Sequence, residues 1–365
     1  MNEETEILKR CNRLHQAYFL LYEIANEDDV SSLEEKHQKD YKDSLDYHEK
    51  FKRINSIYDY VKQHQENKKE RICYWFKKLE NTYASLAAMA VCFGPSDMYE
   101  DINAWKKEIM NCSDSMRAYL YMAIINQEET VLMDTNADYG IQDIVSCLDT
   151  SNYDDSTKWE VLKLYSKWES AMDEVLELIH ETTILLTDKN EDIEFLETKF
   201  YEYWSGVLKT QSITDILKRS LNIEWNVSEA GIQIQMTMFR PFSLSVSVDK
   251  EQKDKKDMIH IGAVLDERMD SSTDAPSIDD VTRVGKIITD RTKLEILRFV
   301  KEKPKYGKEI ADQLGLTTST ISYHMNALIE LSFVTTRLDA GRIYYQTNVE
   351  KIQDSMDNIK RFFTD

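Results

Sequence analysis

The spacing of apolar residues switches from about 3.6 to 2 near residue 223 and back near 281, and this switch divides the chain. In residues 1–220 the helical period dominates. Ile7, Leu8, Leu14, Tyr18, Leu21 and Tyr22 recur on one face, and Trp75, Leu79, Tyr83 and Leu86 do the same before running into AAMAVCF. Gly94-Pro95 predicts the end of that helix, with Ser96 or Asp97 capping the next. Asp154, Asp155 or Ser156 is placed to cap a long helix through Trp159, Leu162, Leu164, Trp168, Val175 and Ile179. A turn at Asp188–Glu191 precedes a helix carrying Phe195, Phe200 and Trp204. Only 9 Gly and 4 Pro in 365 residues leave such helices largely uninterrupted. No fixed repeat period is present, so a solenoid is not predicted.

From residue 223 the alternation predicts strands. IEWNVSEAGIQIQMTMF reads as two strands joined by Glu229-Ala230-Gly231, FSLSVSV as a third and IHIGAVL as a fourth. Pro241 falls between strands, where its missing N–H does least harm. DERMDSSTDAPSIDD, with Pro276, reads as a linker. The predicted fold is therefore mainly α with a small antiparallel β-sheet, followed by a separate C-terminal domain. The boundaries are 1–220 helical, 221–268 sheet packed on it, 269–280 linker and 281–365 the terminal domain.

Charge is unevenly spread. The chain carries −20 overall, but residues 278–365 hold 14 Lys+Arg against 13 Asp+Glu, and the acidity belongs to the front. Such a balance argues against wholesale nucleic-acid binding and for a soluble, cytoplasmic body. No apolar run approaches the roughly 18–20 residues of a membrane helix. The start MNEETEILKR lacks the basic and apolar segments of a signal peptide. The 5 cysteines (Cys11, Cys73, Cys92, Cys112, Cys147) are widely spaced with no CxxC, which predicts free thiols in a reducing compartment.

Residues 281–365 carry the most specific pattern. VTRVGKIITD and RTKLEILRFVKEK read as helices, the second burying Leu294, Leu297 and Val300 and ended by Pro304. YGKEIADQL is a short helix with Ile310, Ala311 and Leu314 inward, and Gly315 supplies a turn tolerant of positive φ. Thr317 is a good cap for the following helix, with Leu316 stapling to Ile321. On the wheel, Ile321, Met325, Leu328 and Ile329 share one face, while Ser319, Tyr323 and Asn326 lie opposite. Ser322 is at the flank, and Thr318 is exposed on the first turn. One face packs and the other offers hydroxyl, phenol and amide groups, as a helix reading base edges in a major groove must. FVTTRLDAGRIYYQT then alternates about Leu338-Asp339-Ala340-Gly341, a hairpin with Arg337 and Arg342 at its tip, suited to phosphate or minor-groove contact. VEKIQDSMDNIKRFF closes as an amphipathic helix with Val349, Ile352, Met356, Ile359 and Phe363 on one side.

Roughly residues 281–350 resemble the ArsR-type winged helix, the arsenic-repressor-like regulators. The likeness rests on DRTKLEILRFV, GKEIADQLGLTTSTISYHMNALIELSF and a wing containing GRIYY. It implies a homodimer on double-stranded DNA of pseudo-palindromic sequence, usually as a repressor. By motif position it makes Thr318, Ser319, Ser322 and Tyr323 base-reading sites, His324 the recurrent histidine and Arg342 the wing arginine. Asn326 and Arg337 join them from the wheel and the hairpin. The whole chain also looks like long-form members with a helical front region. Two departures stand out. Metal sensors of the family place cysteines in the helix before the turn, or His with Asp or Glu in the last helix; GKEIADQL has no Cys, and VEKIQDSMDNIKRFF has neither His nor Cys. No metal and no cofactor is expected. The near-neutral charge of the domain predicts a shallow salt dependence and a reliance on specific contacts.

Other features have plainer readings. Cys11 and His15 stand at the i,i+4 spacing of a metal pair, but two ligands make no structural zinc site. Trp75, Trp105, Trp159, Trp168 and Trp204 read as core, or as the lining of an aromatic effector pocket. No GxSxG, P-loop, GxGxxG or HExxH occurs, so no enzyme is predicted. The rival to a DNA-binding regulator is a winged helix that contacts protein, attached to a helical ligand-binding region.

Overall fold

The computed structural model describes residues 5–26, 45–79, 84–92, 101–126, 138–151, 153–221, 223–225, 227–247, 255–265, 278–339 and 342–364. They form two compact units. The first takes in the described residues of Met1–Ile124, Ala137–Gln211 and Val227–Asp266; the second those of Ile125–Asn136, Ser212–Asn226 and Glu267–Asp365.

The first unit opens with β1 (Thr5–Ile7), α1 (Arg13–Asn26), α2 (Leu45–His64), a 3-10 turn at Glu66–Lys68 and α3 (Lys69–Phe76). It continues with α4 (Leu86–Ala90), α5 (Ile102–Asn111), α6 (Asp114–Ile125), α7 (Ile141–Thr150), α8 (Asp155–Ser166), α9 (Trp168–Thr187) and α10 (Asn190–Val207). After α11 (Ile213–Leu221) and β2 (Ile223–Trp225), which belong to the second unit, it resumes with β3 (Ile232–Thr237), β4 (Leu244–Ser247) and β5 (Asp257–Gly262). The architecture is mainly helical with small sheets, as the apolar periods predict. No helix among the described residues is long and apolar enough to cross a membrane.

Helix α1 is the axis of this unit. Leu14, Ala17, Leu20 and Leu21 are almost wholly buried, and the helix packs on α3 and α9. Its one interior amide is fully used: Gln16 donates Nε2–H to the Met236 carbonyl at 3.0 Å and accepts from Met238 N–H at 2.9 Å. A buried amide paired at both ends ties helix to strand without a desolvation penalty left over. Cys11 Sγ donates to Glu197 Oε1 at 3.2 Å, and His15 stacks on His260 with 4.5 Å between rings, so the i,i+4 pair of the sequence is taken up by packing. Among the described residues no group of three or more His, Cys, Asp or Glu could hold a metal ion.

Several expectations need correction. The sheet has the order β1-β3-β5-β4 and is mixed: β1 and β5 run parallel to β3, and only β4–β5 is antiparallel. β5 lies between β3 and β4, so these two form no hairpin, and the chain joining them crosses the end of β5 at Gly262, where a Cβ would sit 2.0 Å from the Pro241 carbonyl oxygen. The supposed β2–β3 hairpin is absent. Gly231 does turn the chain at φ 97°, but β2 pairs elsewhere, in the second unit. The helix expected through Trp75 and Leu86 stops at Phe76, and a new one starts at Leu86 behind the Ser85 cap, whose side chain accepts from Ala88 N–H. Asp154 caps as expected, accepting from Thr157 N–H at 2.7 Å, but the long helix breaks at Lys167 into α8 and α9. Of the tryptophans, Trp75, Trp105, Trp168 and Trp204 are core, whereas Trp159 is 66% exposed. The stop at Gly94-Pro95 with its caps at Ser96 and Asp97, the hairpin tip at Ala340-Gly341 and residues 269–277 of the expected linker lie outside the described residues; 278–280 already begin a helix.

In the second unit follow α12 (Ile278–Ile288), α13 (Arg291–Phe299), β6 (Lys305–Tyr306), α14 (Gly307–Leu314), α15 (Thr318–Glu330), β7 (Val334–Asp339), β8 (Arg342–Thr347) and α16 (Val349–Thr364). Its core is built from Ile287, Ile296, Val300, Ile310, Ile321, Met325, Leu328, Phe333 and Tyr345, with Ile352, Met356 and Ile359 of α16 laid against it. Leu297 and Val300 are buried as expected, but Leu294 is 44% exposed; the inward stripe of α13 runs instead through Lys293, Ile296, Leu297 and Val300. The sheet has the order β2-β7-β8-β6.

Candidate nucleic-acid interface

Gly315 makes the turn between α14 and α15. At φ 66° it sits in the left-handed region that favours glycine, and Leu316 N–H returns to the Ala311 carbonyl at 3.0 Å. Thr317 then caps α15, its Oγ1 accepting from Thr320 N–H at 3.1 Å. Ile321, Met325 and Leu328 are at most 1% exposed and fix the helix rotation; Ile329, expected among them, lies at the rim at 36%.

The opposite side is what remains open. Tyr323 is 58% exposed. Ser319, Ser322 and Asn326 are half-buried beside it. The Ser319 hydroxyl shares a 2.8 Å hydrogen bond with Thr317 Oγ1. Thr318 is not the open residue expected on the first turn: it is half-buried, with Oγ1 3.5 Å from the Asn126 carbonyl of the same unit.

His324 turns inward, although its neighbour Tyr323 points out. Its side chain is 14% exposed, and Nδ1 lies 3.8 Å from Asp290 Oδ2. Asp290 is the cap of α13, accepting from Lys293 N–H at 3.1 Å and from Lys293 Nζ at 2.6 Å. Burial lowers the His324 pKa, and the Lys293 charge lowers it further against the pull of Asp290. The Asp290 carboxyl is pulled up by burial but ends below its ordinary value, because it accepts both Lys293 bonds and faces two cations. Sequence reading quoted the Asp of this cap as part of a motif but did not connect it to His324.

The wing is the β7–β8 hairpin, with Arg337 opposite Tyr344 and Asp339 opposite Arg342. Both arginines are exposed. Arg342 lies over the Tyr306 ring at 4.7 Å and Arg337 over Tyr344 at 6.0 Å, while Tyr306 and Tyr344 meet edge to face at 5.7 Å. A guanidinium stacked on an aromatic face, as Arg342 is on Tyr306, can still turn the N–H donors of its edge toward a backbone phosphate. Sequence reading missed β2: it extends the wing sheet in parallel with β7, setting Glu224 against Arg337 and Trp225 against Leu338. A three-residue strand more than a hundred residues away leaves no periodic signal.

A helix, a glycine turn, a capped second helix with an open polar edge and an arginine-bearing hairpin define a winged helix-turn-helix. Residues 290–336 match the bacterial regulatory protein, arsR family. The chain thus carries an ArsR-family DNA-binding regulator domain, preceded by an extra N-terminal region. It is 28% identical over 83 residues to the arsenical resistance operon repressor of Staphylococcus aureus, covering 23% of this chain and 80% of that protein. It is 28% identical over 82 residues to the transcriptional repressor SdpR of Bacillus subtilis (strain 168), covering 22% and 91%. The probable mercury resistance operon repressor of Streptomyces lividans is 22% identical over 76 residues, covering 21% and 61%. No solved structure gives a significant match.

Proposed function

We propose that the protein is a sequence-specific transcriptional repressor that binds a pseudo-palindromic operator as a homodimer, its N-terminal region serving dimerisation, effector response or both. The carrying observation is the open edge of α15, with Tyr323 exposed while Ile321, Met325 and Leu328 lock the opposite side. In this reading Tyr323, Ser319, Ser322, Thr318 and Asn326 face base edges, Arg337 and Arg342 hold phosphates, and His324 sets the angle of α15 from behind. Repression is the activity named for its relatives, and the sign is taken from them. One recognition helix reads too few base pairs for specificity, so two copies spanning half-sites about 34–36 Å apart are required. Ile288, Leu294, Val349 and Phe363 are exposed apolar groups of the second unit that a second copy would cover. The helix matching the family's thiol-bearing position, Gly307–Leu314, has no cysteine, so the effector is not a thiolate-bound metal at that place.

The test is gel retention of the full chain on DNA fragments chosen by selection from random sequence. Tyr323→Ala is expected to lose at least about tenfold in affinity for the selected site, the scale of one good base contact. Arg342→Ala is expected to weaken selected and random DNA alike. Retention unchanged in both, with α15 still folded, would leave the winged helix to a protein partner instead. Sedimentation of the protein–DNA complex reads the two-copy stoichiometry.

A further inference from the structure

The second unit is not built from one stretch of chain. Besides residues 267–365 it takes in 125–136 and 212–226, and each of these segments leaves the first unit and returns to it. The winged helix does not draw on them for its core: among the described residues, that core runs from Val284 to Tyr345, backed by Ile352, Met356 and Ile359, and takes no side chain from either segment. Each segment instead reaches an element that faces DNA. β2 lies along the outer edge of the wing, parallel to β7, with Glu224 in register with Arg337. The Asn126 carbonyl, just past α6, accepts from the Thr318 hydroxyl at 3.5 Å, and Thr318, the first residue of α15, is half-buried. The helix before β2 is firmly seated: Ser212 Oγ accepts from Asp215 N–H at 3.0 Å, and Ile213, Ile216 and Leu217 of α11 are wholly buried. β2 itself is three residues long and pairs on one side only, whereas β7 and β8 hold each other through six paired positions. Such an edge strand can come away without disturbing the hairpin.

On the reading of α15 and the wing as the DNA interface, we propose that Asn126 and the α11–β2 segment form a built-in clamp on it. The docked state, with β2 on the wing and Asn126 on α15, is the state of low DNA affinity. In that state a base-reading hydroxyl on the first turn of α15 is already engaged, and one of the two wing arginines has an acidic residue at its register position. Both features oppose DNA. A hydroxyl must give up its partner before it reaches a base edge, and an acidic residue beside the phosphate donor repels the phosphate. Release of the two segments removes both features and leaves the domain core and the β7–β8 ladder intact. Because each segment is continuous with the first unit at both ends, a change of shape there is carried to α15 and the wing through the chain itself. An effector that favours one shape of the first unit thereby shifts the balance between docked and released states.

The experiment locks β2 in place. Ile223 and Thr336 are partners across β2 and β7, on strands about 4.8 Å apart, a span that a disulfide bridges. The full-length Ile223→Cys/Thr336→Cys variant is oxidised, and the link between positions 223 and 336 is confirmed by peptide mapping. Its affinity for the selected DNA site is then measured by gel retention before and after reduction. Locking is expected to weaken binding at least about tenfold, within the usual range of coupling between sites, and reduction to restore the wild-type value. Wild type carried through the same oxidation and reduction controls for the 5 native cysteines. In hydrogen exchange of the wild type, the amides of 223–225 should exchange faster when DNA is bound, while those of α15 slow down. Equal affinity of the locked and reduced forms, tighter binding on locking, failure of the link to form, or slower exchange at 223–225 on DNA would each overturn the clamp and leave the interface standing. No retention of DNA by wild type or by either form of the variant would overturn the interface and the clamp with it. The exchange measurement needs no variant to fold, so it decides the matter alone if the substitutions are destabilising.

Discussion

Adjacent side chains on α15 do opposite jobs. Tyr323 and His324 are one position apart, about 100° round the helix, and this suffices to put one in solvent and the other against the α13 cap. The wheel reads the first correctly, because outwardness is a property of the helix alone. It cannot read the second, because the surroundings of His324 come from Asp290 and Lys293, more than thirty residues back in the chain. The same buried geometry predicts a pH response. Burial lowers the folded-state pKa of His324 below its unfolded value, so as pH falls the unfolded chain takes up the proton first. The stabilising difference is present above the unfolded pKa of about 6.5 and is lost as pH falls below it. Asp290, lowered in the folded state, adds a loss of its own at more acid pH, below the ordinary carboxylate range. Denaturant unfolding of the full chain, followed by a probe in the C-terminal domain, should show stability falling from pH 7.5 to pH 5.5. His324→Asn should flatten that interval and leave the more acid loss in place. A wild-type profile already flat between those pH values would refute the burial argument.

Elements divide by the range of the forces that make them. α14, the glycine turn and α15 are local: a left-handed residue and an N-cap lie within a few positions of the ends they close, and both were legible in the sequence, whereas the Glu309 carboxylate that accepts from Tyr306 N–H at the start of α14 was not picked out. The wing hairpin was legible for the same reason. What else escaped was non-local. β1 and β2 are three residues each, too short to show alternation, and both pair in parallel with strands far along the chain. The break between α8 and α9 also escaped, since Lys167 is no helix breaker. The locality of α15 makes its cap testable apart from the core. Thr317→Ala removes the acceptor of Thr320 N–H, worth about 1 kcal/mol. Amide exchange in the first turn of α15 should therefore quicken about fivefold, while exchange at Ile296 and Leu297 of α13 stays near its original rate. Uniform acceleration through the domain would mean that the cap serves the whole core and not the helix start.

At the scale of the molecule, charge is the dominant fact. Residues 278–365 hold 14 basic and 13 acidic side chains, while the rest of the chain carries 32 against 53. A DNA-binding domain normally draws its sequence-independent affinity from released counterions, one for each phosphate it neutralises, and log K falls by about 0.9 per decade of salt for each. This domain has few cations to spend in that way. Lys293 and Lys305 are tied to Asp290 and Glu309, and Arg291 to Glu295, so part of this small positive charge is already engaged within the domain. Two copies would bring a handful of phosphate contacts, not the larger number of a strongly basic protein. The acidic remainder repels the duplex at long range, an effect that fades beyond a Debye length of about 10 Å at 0.1 M salt. The two effects oppose each other as salt rises. Raising salt weakens the few attractive contacts and also screens the repulsion, so affinity should change little with ionic strength. Titrations of the full chain against a selected site should give a slope of log K on log salt much shallower than −10, and the affinity for random DNA should be poor even in dilute buffer. A slope at or beyond that value would require basic side chains of the front region to reach the DNA, and would move the interface from α15 and the wing to the whole protein.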